Sequence, residues 1–405
     1  MKKQNEFKLC AVSSILALAA FSIAIFVTAC GTDFSKQPGT GTETGTGTDT
    51  GTGADTEPET GTKEGFTGTW TPARTMPFDS DDTVYGIAYG ASNGSGLFVA
   101  VGQNFVNYVK TGKIAWSANA TDWTEANAGA FGGSVCRAVA YGTPSGSGLF
   151  VAVGDNGKIA WSADGKGWTA VSGSTFGGSK INAIAYGTPN GAGKFVAAGY
   201  EGKIAWSTDG KNWTAAAAVE GFNGVNDSIN GIAFGGGRFV LAGSKNNNSM
   251  GKMAWSTDGV TWHPVQDNPC GQDPILAVAY GGSPGRFVIT SESRKICYSP
   301  NGESWATVSK TPFGDGSQSC YIEAIAYGTA ANGAGRFIAA GVYGKIGYSD
   351  DNAESWQALT GSSFSANLEK NIYGSDAVYA IAYAGTPQSA IKFVLGGYGK
   401  IECYR

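Results

Sequence analysis

Short apolar segments of a few residues recur along most of the chain and are separated by Gly, Asn, Asp and Pro. They are rich in Val, Ile, Tyr, Phe and Trp, and none keeps a helical period over a useful length, so they predict β-strands. One motif of the form AIAYG occurs seven times. Its aromatic residue is Tyr89, Tyr141, Tyr186, Phe234, Tyr280, Tyr327 or Tyr383. The spacings of 45 to 56 residues indicate one repeated structural unit.

Each unit contains four such segments in a constant order. After AIAYG comes a run such as Phe195-Val196-Ala197, then a run such as Gly202 to Ser207, and a pair such as Trp213-Thr214 closes the unit. Four antiparallel strands in about 45 residues are typical of a propeller blade. Residues 66–405 therefore predict an all-β, seven-bladed β-propeller with four antiparallel strands per blade, lettered A to D from the central channel outward.

The seventh unit has segments for strands A, B and C but none for strand D before Arg405. A matching segment lies at the other end of the domain, as Gly68 to Thr71. We predict that this N-terminal strand completes the last blade, which closes the ring and covers an open sheet edge. Seven of the eleven Trp fall at the strand D position and four on strand C. On strand C of the other blades we expect Tyr298, Tyr348 and Tyr404 in that place.

A lysine precedes strand C in all seven units. These lysines are Lys113, Lys158, Lys203, Lys252, Lys295, Lys345 and Lys400. Either they form a cationic ring that attracts an anion, or each pairs with neighbouring structure or is solvated. A position shared by every repeat favours a structural role.

The chain begins with a charged and then apolar segment. Three lysines within the first eight residues precede an apolar run from Leu9 to Ala29, a pattern typical of an export signal. The end of this run, Val27 to Gly31, resembles the bacterial lipobox, in which a cysteine after small residues is lipidated and becomes N-terminal. We predict that residues 1–29 are a lipoprotein signal peptide and that Cys30 carries lipid. An uncleaved membrane helix is the alternative.

Residues 30–65 are rich in Gly and Thr and contain almost nothing apolar, so ordering them would bring no compensating burial. This segment predicts a disordered tether. We therefore expect a protein of the bacterial cell envelope, anchored to a membrane or displayed at the cell surface through the lipid on Cys30.

The turns between strands C and D share a second motif, seen in Ser162 to Trp168 and in Ser207 to Trp213. They resemble the Asp-box (BNR) repeat of sialidase-like propellers and of plant and cyanobacterial photosystem assembly factors. Most copies are one residue shorter than the family pattern. The resemblance spans roughly residues 66–405 and implies the fold. It implies little about activity, because such turns lie away from sialidase active sites.

Sialidases of that family hold a substrate carboxylate with three arginines. Arg238, Arg286 and Arg336 each precede strand B, on the face of the Asp-box turns, so we interpret them as parts of the repeat. The single histidine, His263, leaves little room for a His-based triad or metal site. A net charge of −4 gives no footprint for nucleic acid. We predict no catalytic residues, metal or cofactor; a glycan-cleaving hydrolase with two carboxylates is the alternative.

Function is expected where the repeats differ. The residue directly before each AIAYG motif varies and is expected to ring the channel mouth. These residues are Tyr85, Arg137, Asn182, Asn230, Leu276, Glu323 and Tyr379. The turns between strands B and C add Tyr200, Tyr343 and Tyr398. We predict that these side chains, Leu276 excepted, bind a glycan or protein ligand on a monomeric, non-catalytic binding or scaffold propeller. A purely structural envelope protein and neutral variation of exposed loops are the alternatives.

The propeller contains an odd number of cysteines: Cys136, Cys270, Cys297, Cys320 and Cys403. They cannot all pair within the chain. We interpret Cys297 as a buried residue. Cys270 and Cys320 lie in adjacent loops between strands D and A, so a disulfide between them is one hypothesis.

Overall fold

A computed structural model describes residues 68–405 except 93–94, 174, 247–248, 315–320, 331, 366–375 and 385–392. These residues form seven four-stranded antiparallel sheets in a ring, which confirms the predicted seven-bladed β-propeller. The predicted signal peptide, the tether and Cys30 lie outside the described residues and stay predictions. No helix in the described part is long and apolar enough to cross a membrane.

The strands follow the chain around the ring, and the first strand, β1 (Trp70–Pro72), belongs to the last blade. Blade 1 contains β2 (Thr83–Ser92), β3 (Ser95–Val106), β4 (Val109–Ser117) and β5 (Thr124–Ala126). Blade 2 contains β6 (Cys136–Gly142), β7 (Leu149–Gly154), β8 (Ile159–Ser162) and β9 (Thr169–Ala170). Blade 3 contains β10 (Ile181–Gly187), β11 (Lys194–Gly199), β12 (Ile204–Ser207) and β13 (Thr214–Ala215).

The remaining blades repeat this order. Blade 4 contains β14 (Ser228–Gly235), β15 (Arg238–Lys245), β16 (Met250–Ser256) and β17 (His263–Pro264). Blade 5 contains β18 (Ile275–Gly281), β19 (Arg286–Ser291), β20 (Ile296–Ser299) and β21 (Ala306–Thr307). Blade 6 contains β22 (Ile322–Thr329), β23 (Gly335–Gly341), β24 (Ile346–Ser349) and β25 (Gln357–Ala358). Blade 7 contains β26 (Val378–Tyr383), β27 (Phe393–Gly397), β28 (Ile401–Tyr404) and β1.

Helical structure in the described part is limited to single 3₁₀ turns. They span Gly129–Phe131, Pro144–Gly146, Asp155–Gly157, Pro189–Gly191, Val342–Gly344 and Ser363–Ser365. Strand A of each blade contacts strand A of the next blade, from β2 round to β26 and back to β2. Strand A is therefore innermost and lines the channel.

The ring closes where β1 pairs with β28. Trp70 lies opposite Tyr404 in an antiparallel register, and their ring centroids are 5.0 Å apart. The Thr69 amide donates to the Arg405 carbonyl at 2.9 Å, and the Arg405 amide donates back to the Thr69 carbonyl at 3.1 Å. The predicted closure by the N-terminal strand is confirmed.

One sequence alignment within the repeat was wrong. Cys403 pairs with Val394 as Trp161 pairs with Val151, so Cys403 and not Tyr404 occupies the aromatic position of strand C in blade 7. Tyr404 takes the place that a serine of the C–D turn holds in other blades. No C–D turn follows β28, because β1 supplies the fourth strand, so Tyr404 is free to pack on Trp70 instead.

The C–D turns are hydrogen-bonded hairpins that also join blades. In blade 3, the Gly210 amide donates to Ser207 Oγ at 2.8 Å, and Asp209 Oδ1 accepts from the amides of Lys211 and Asn212. Burial alone would raise the pKa of Asp209, but these hydrogen bonds outweigh it and lower the pKa to about 2. Gly210 has φ of 71°, and a Cβ there would lie 2.5 Å from Leu149 of the preceding blade. The turn therefore serves the fold.

The repeated lysines bind the loops that lead from strand D into strand A. Three of them pair with an aspartate, as Lys113–Asp82 (2.8 Å), Lys295–Asp273 (2.7 Å) and Lys400–Asp376 (2.6 Å). Lys203 and Lys345 donate to the backbone carbonyls of Phe176 and Phe313. In these five blades the lysine has the structural role, and it holds the D–A loop against strand C.

Replacing Trp70 by Ala tests the closure. We expect the free energy of unfolding to fall by roughly 2 kcal/mol, less than for a fully buried Trp, because the ring is half-buried. Hydrogen exchange should accelerate at the amides of β28. Trp168→Ala removes the same repeat position in blade 2, where a turn joins strand D covalently, and should leave β8 protected. Equal protection of β28 in wild type and Trp70→Ala would contradict the closure.

Candidate functional site

The seven variable residues before AIAYG share one backbone feature. In every blade the pairing of strands A and B shifts by one residue at this position, which leaves it as the unpaired residue of a β-bulge. The unpaired residues are Tyr85, Arg137, Asn182, Asn230, Leu276, Glu323 and Tyr379. Bulges redirect a side chain and are common beside functional sites. The sequence located the position but not this geometry.

Two of the predicted site residues, Asn182 and Asn230, hydrogen-bond to the neighbouring blade. Asn182 Nδ2 donates to Ser228 Oγ and to the Ile229 carbonyl of blade 4, at 3.0 and 3.2 Å. Asn230 Nδ2 donates to the Ile275 carbonyl of blade 5 at 3.0 Å. Both asparagines are buried. The structure therefore uses them to join strand A of one blade to strand A of the next.

Three predicted residues come together on blades 7, 1 and 2. The ring centroids of Tyr85 and Tyr379 are 5.9 Å apart, and the Arg137 guanidinium carbon lies 4.8 Å from the centroid of Tyr85. Arg137 donates twice to the carboxylate of Asp155, at 2.8 and 3.0 Å, and is 8% exposed. Tyr85 Oη donates to Gln103 Oε1 at 3.1 Å. These contacts fix each side chain in one orientation, which preorganises this part of the mouth.

Next to Arg137 lies a second positive group. Lys180 Nζ is 5.3 Å from the ring centroid of Tyr200, one of the predicted B–C turn residues. Burial lowers the pKa of Lys180, and the charge of Arg137 lowers it further. Burial raises the pKa of Tyr200, and Arg137 partly opposes that rise. We call Arg137, Lys180 and Tyr200 the cationic arc, on blades 2 and 3.

Acidic groups lie on the other side of the ring, in blades 5 and 6. Glu323 has no exposed surface, and neither carboxyl oxygen has a hydrogen-bond partner. Burial raises its pKa well above the usual range, and the charge of Glu292 adds to the rise. Burial, followed by the charge of Asp273, raises the pKa of Glu292 to about 7. We call Glu292 and Glu323 the acidic arc.

The B–C turns place Tyr343 and Tyr398 half-buried at the same end of strand A. Tyr343 has φ of 59°, a left-handed conformation that is unfavourable for a residue with a Cβ. Tyr398 lies where blade 7 meets blade 1, and its amide donates to the Ala377 carbonyl at 3.2 Å. The structure thus brings the predicted turn tyrosines to the channel end that carries the bulges.

Two B–C turns are much longer than the others. In blade 1, β3 and β4 stay paired out to Val106 and Val109, and in blade 4, β15 and β16 stay paired out to Lys245 and Met250. In blade 2, by contrast, the corresponding strand β7 ends at Gly154. These two segments are projecting hairpins on opposite sides of the mouth.

A buried aspartate anchors each long hairpin, a role that the sequence analysis missed. Asp82 Oδ1 accepts from the Phe105 amide at 2.9 Å, and Asp227 Oδ1 accepts from the Asn246 amide at 3.1 Å. Each aspartate lies three residues before the bulge of its blade. An Asp at this spacing together with a long B–C segment could have identified them.

The tip of the blade 1 hairpin, Val106 to Val109, is apolar and exposed. Val106, Tyr108 and Val109 are 52%, 94% and 58% exposed. The fourth large exposed hydrophobic side chain in the described residues is Val225, in the D–A loop of blade 4. Clustered apolar exposure of this kind marks interaction sites more often than isolated residues do.

The catalytic candidates occupy structural positions. Arg238, Arg286 and Arg336 each place their guanidinium carbon within 5 Å of the centroid of a strand C aromatic ring, at 4.8, 4.7 and 4.2 Å. Arg238 also donates to the Asn301 carbonyl in the C–D turn of the next blade. The interpretation of these arginines as parts of the repeat is confirmed. His263 lies on outer strand β17 against Trp255.

One open cavity of about 450 Å³ lies on the outer rim between blades 4 and 5. It is lined by Trp255, Trp305 and residues 264–269. The ring of Trp255 already contacts His263 and Arg238, so it is not available to stack on a ligand. Across the described residues, no group of three or more His, Cys, Asp or Glu could hold a metal ion.

The acidic arc predicts a pH-dependent stability. Folding raises the pKa of Glu292 and Glu323 above the value of about 4.3 expected when unfolded, so the stabilisation from their protonated forms is complete below that pH. It is lost as pH rises through the folded pKa, which is about 7 for Glu292 and well above the usual range for Glu323. Thermal unfolding midpoints should therefore fall from about pH 5 to pH 8.

Glu323→Gln keeps the shape of the side chain but cannot ionise. The unfolding midpoint of this variant should therefore fall less between pH 5 and pH 8 than that of the wild type. Glu220→Gln, on an exposed loop residue, should leave the profile unchanged. The unfolding midpoints of the wild type and both variants can be measured by differential scanning fluorimetry from pH 5 to pH 8. Identical slopes for wild type and Glu323→Gln would contradict the burial of an unpartnered carboxyl.

Comparison with known proteins supports the fold. No protein-family model matches the chain, and the search of curated proteins found no relative. A solved structure described as "YCF48 bound to D1 peptide" matches with a TM-score of 0.55 and 16% identity, over 83% of this chain and 94% of that one. YCF48 from Cyanidioschyzon merolae matches with a TM-score of 0.56 and 13% identity, over 83% and 99%. At these identities, what the likeness shows is a shared seven-bladed propeller.

Proposed function

We propose that this chain is a non-catalytic binding propeller that captures an extended segment of a partner protein at the channel mouth. The observation that carries the proposal is the exposed apolar tip of the blade 1 hairpin. Three large hydrophobic side chains project together at the channel end that holds the bulges. Burying a side chain of this size against a partner stabilises a complex by about 1.5–3 kcal/mol.

The mouth offers a bound segment positive charge on one side and aromatic surface. The cationic arc on blades 2 and 3 favours an acidic group, through Lys180 more than through Arg137, whose charge is balanced by Asp155. Tyr343 and Tyr398 add half-exposed aromatic surface beside the half-buried Tyr85 and the buried Tyr379. A positive group on one side of the mouth fixes the direction in which a bound segment lies, which gives specificity more than affinity.

A protein ligand fits the hairpin tip better than a glycan does. Sugars stack on flat aromatic faces, whereas two of the three tip side chains are valines. The fold neighbour that is described as bound to a D1 peptide is a precedent for peptide binding by a propeller of this shape. A hydrolase with two carboxylates is disfavoured, because Glu323, the carboxyl whose pKa is raised by the charge of Glu292, has no exposed surface with which to reach a substrate.

The same proposal includes the membrane anchor. Lipid on Cys30 would attach the mature chain to a bacterial membrane, and the tether of residues 30–65 would act as a flexible coil with a spread of roughly 30–35 Å. The propeller would then be held off the bilayer but free to turn its mouth toward a partner in the cell envelope.

Photo-crosslinking in cells that make the full chain tests the binding site. With p-benzoylphenylalanine in place of Tyr108, we expect one discrete crosslinked protein, because the tip lies against the partner. Combining it with Tyr343→Ala and Tyr398→Ala should reduce that crosslink at least several-fold.

The matched control carries the same photoreactive residue in place of Asn212, an exposed residue of the blade 3 C–D turn, on the face away from the mouth. It should give little of that product. Equal crosslinking from both positions would contradict the proposed site. An unchanged crosslink from position 108 in the Tyr343→Ala and Tyr398→Ala background would contradict it as well.

Metabolic labelling with an alkyne fatty acid tests the anchor. The full chain should take up the label, and Cys30→Ala should lose it, since the lipidated thiol is then absent. Cys10→Ala, at the other cysteine of the leader, should reduce neither labelling nor processing. An unlabelled wild-type chain that retains residues 1–29 would indicate the uncleaved helix instead.

A further inference from the structure

A buried phenylalanine is a repeated feature of the D–A loops. It is found as Phe78, Phe131, Phe176, Phe222, Phe313 and Phe364. In blade 5 the equivalent residue is Cys270, because Lys295 Nζ donates to its carbonyl at 2.9 Å as Lys203 and Lys345 donate to the carbonyls of Phe176 and Phe313. Blade 5 therefore lacks the large side chain that fills this space elsewhere.

The residue beneath that phenylalanine, on strand C, is small in most blades. It is Ala115, Ala160, Ala205, Ala254 or Gly347. In blade 6, a Cβ on Gly347 would lie 3.1 Å from the ring of Phe313, so the two positions are in contact. In blade 5 the strand C residue is Cys297, which pairs with Ile289 in the same register. Both members of one contacting pair are thus cysteines in this blade.

The two sulfur atoms are 2.9 Å apart, and both residues are fully buried. A disulfide has an S–S distance of about 2.05 Å, so a shift of less than about 1 Å would join them. The hydrogen bond with Cys270 lowers the pKa of the Cys297 thiol, and a contact with Thr307 adds to this. The same hydrogen bond and burial raise the pKa of Cys270.

We propose that Cys270 and Cys297 form a disulfide within blade 5 of the mature protein. The oxidant is a small-molecule or protein disulfide. One of the two cysteine thiolates attacks one sulfur of that disulfide and releases the other sulfur as a thiolate, which leaves a mixed disulfide. The other cysteine thiolate then attacks the sulfur of the first cysteine and releases the second thiolate. Two cysteine thiols are oxidised, the oxidant is reduced to two thiols, and the two cysteine protons pass to them.

The bond would fix one side of the mouth. It ties the D–A loop to strand C, and the same loop holds Asp273, which pairs with Lys295, and Pro274, whose carbonyl accepts from the Glu292 amide at 3.1 Å. The acidic arc is thereby attached to a covalently closed loop. Since both thiols are buried in the folded blade, exchange takes place before the D–A loop closes on strand C.

Peptide mapping of the full chain, purified without reductant and alkylated in denaturant, tests the proposal. Trypsin places three cysteines in different peptides: Cys270 in 253–286, Cys297 in 296–310 and Cys320, which lies outside the described residues, in 311–336. We expect peptides 253–286 and 296–310 to be recovered linked, and to separate on reduction. Linkage of 253–286 to 311–336 would establish the Cys270–Cys320 pair instead. Recovery of all three as alkylated peptides, also after refolding with oxidised glutathione, would overturn the proposal.

A stability measurement gives an independent test. Reductant should lower the thermal unfolding midpoint of the oxidised wild type. The double variant Cys270→Phe and Cys297→Ala restores the pair found in other blades, so it should fold and show no response to reductant. Cys136→Ser with Cys403→Ser removes two other buried cysteines and should keep the wild-type response. A response that survives in the Phe/Ala variant would place the redox-sensitive bond elsewhere and contradict the assignment.

Discussion

Neighbouring blades are held together by an aromatic ring that lies on a glycine. At the end of strand A in blade 2, a Cβ on Gly142 would lie 2.3 Å from the ring of Tyr186 in blade 3. The same contact joins Gly187 to Phe234 and Gly235 to Tyr280. A side chain at these glycines would force the blades apart, so the aromatic residue and the glycine depend on each other across six of the seven boundaries. In blade 7 the motif ends in Ala384 instead of glycine.

This constraint explains why the repeat is constant where it is and variable elsewhere. Packing against the next blade restricts which residues can end strand A. The bulge residue at the start of strand A is not paired with strand B, so its side chain can vary, as Tyr85, Arg137, Leu276 and Glu323 show. Chemistry can therefore differ from blade to blade only at one end of the channel. The long hairpins of blades 1 and 4 project at that end, so the variable features converge on one mouth.

The fold could be predicted from sequence because its determinants are local and repeated. Seven motifs of the AIAYG type and a separate Trp-Thr segment at the start of the domain were sufficient to predict seven blades and the closure of the ring. The position of Tyr404 was wrong by one residue because β28 has no C–D turn to fix its register. The site was less predictable. Asn182 and Asn230 bind carbonyls of the next blade, and Cys297 meets Cys270 across a loop, so their surroundings depend on contacts between segments that no repeat alignment contains.

The central claim is that the variable mouth and the blade 1 hairpin form one binding surface. A cryo-EM or crystal structure of the full chain in complex with its crosslinked partner tests this most directly. The account predicts that an extended segment of the partner contacts the hairpin tip at Tyr108 and the turn residues Tyr343 and Tyr398. A partner seated instead on the C–D turns, or in the rim cavity between blades 4 and 5, would contradict it.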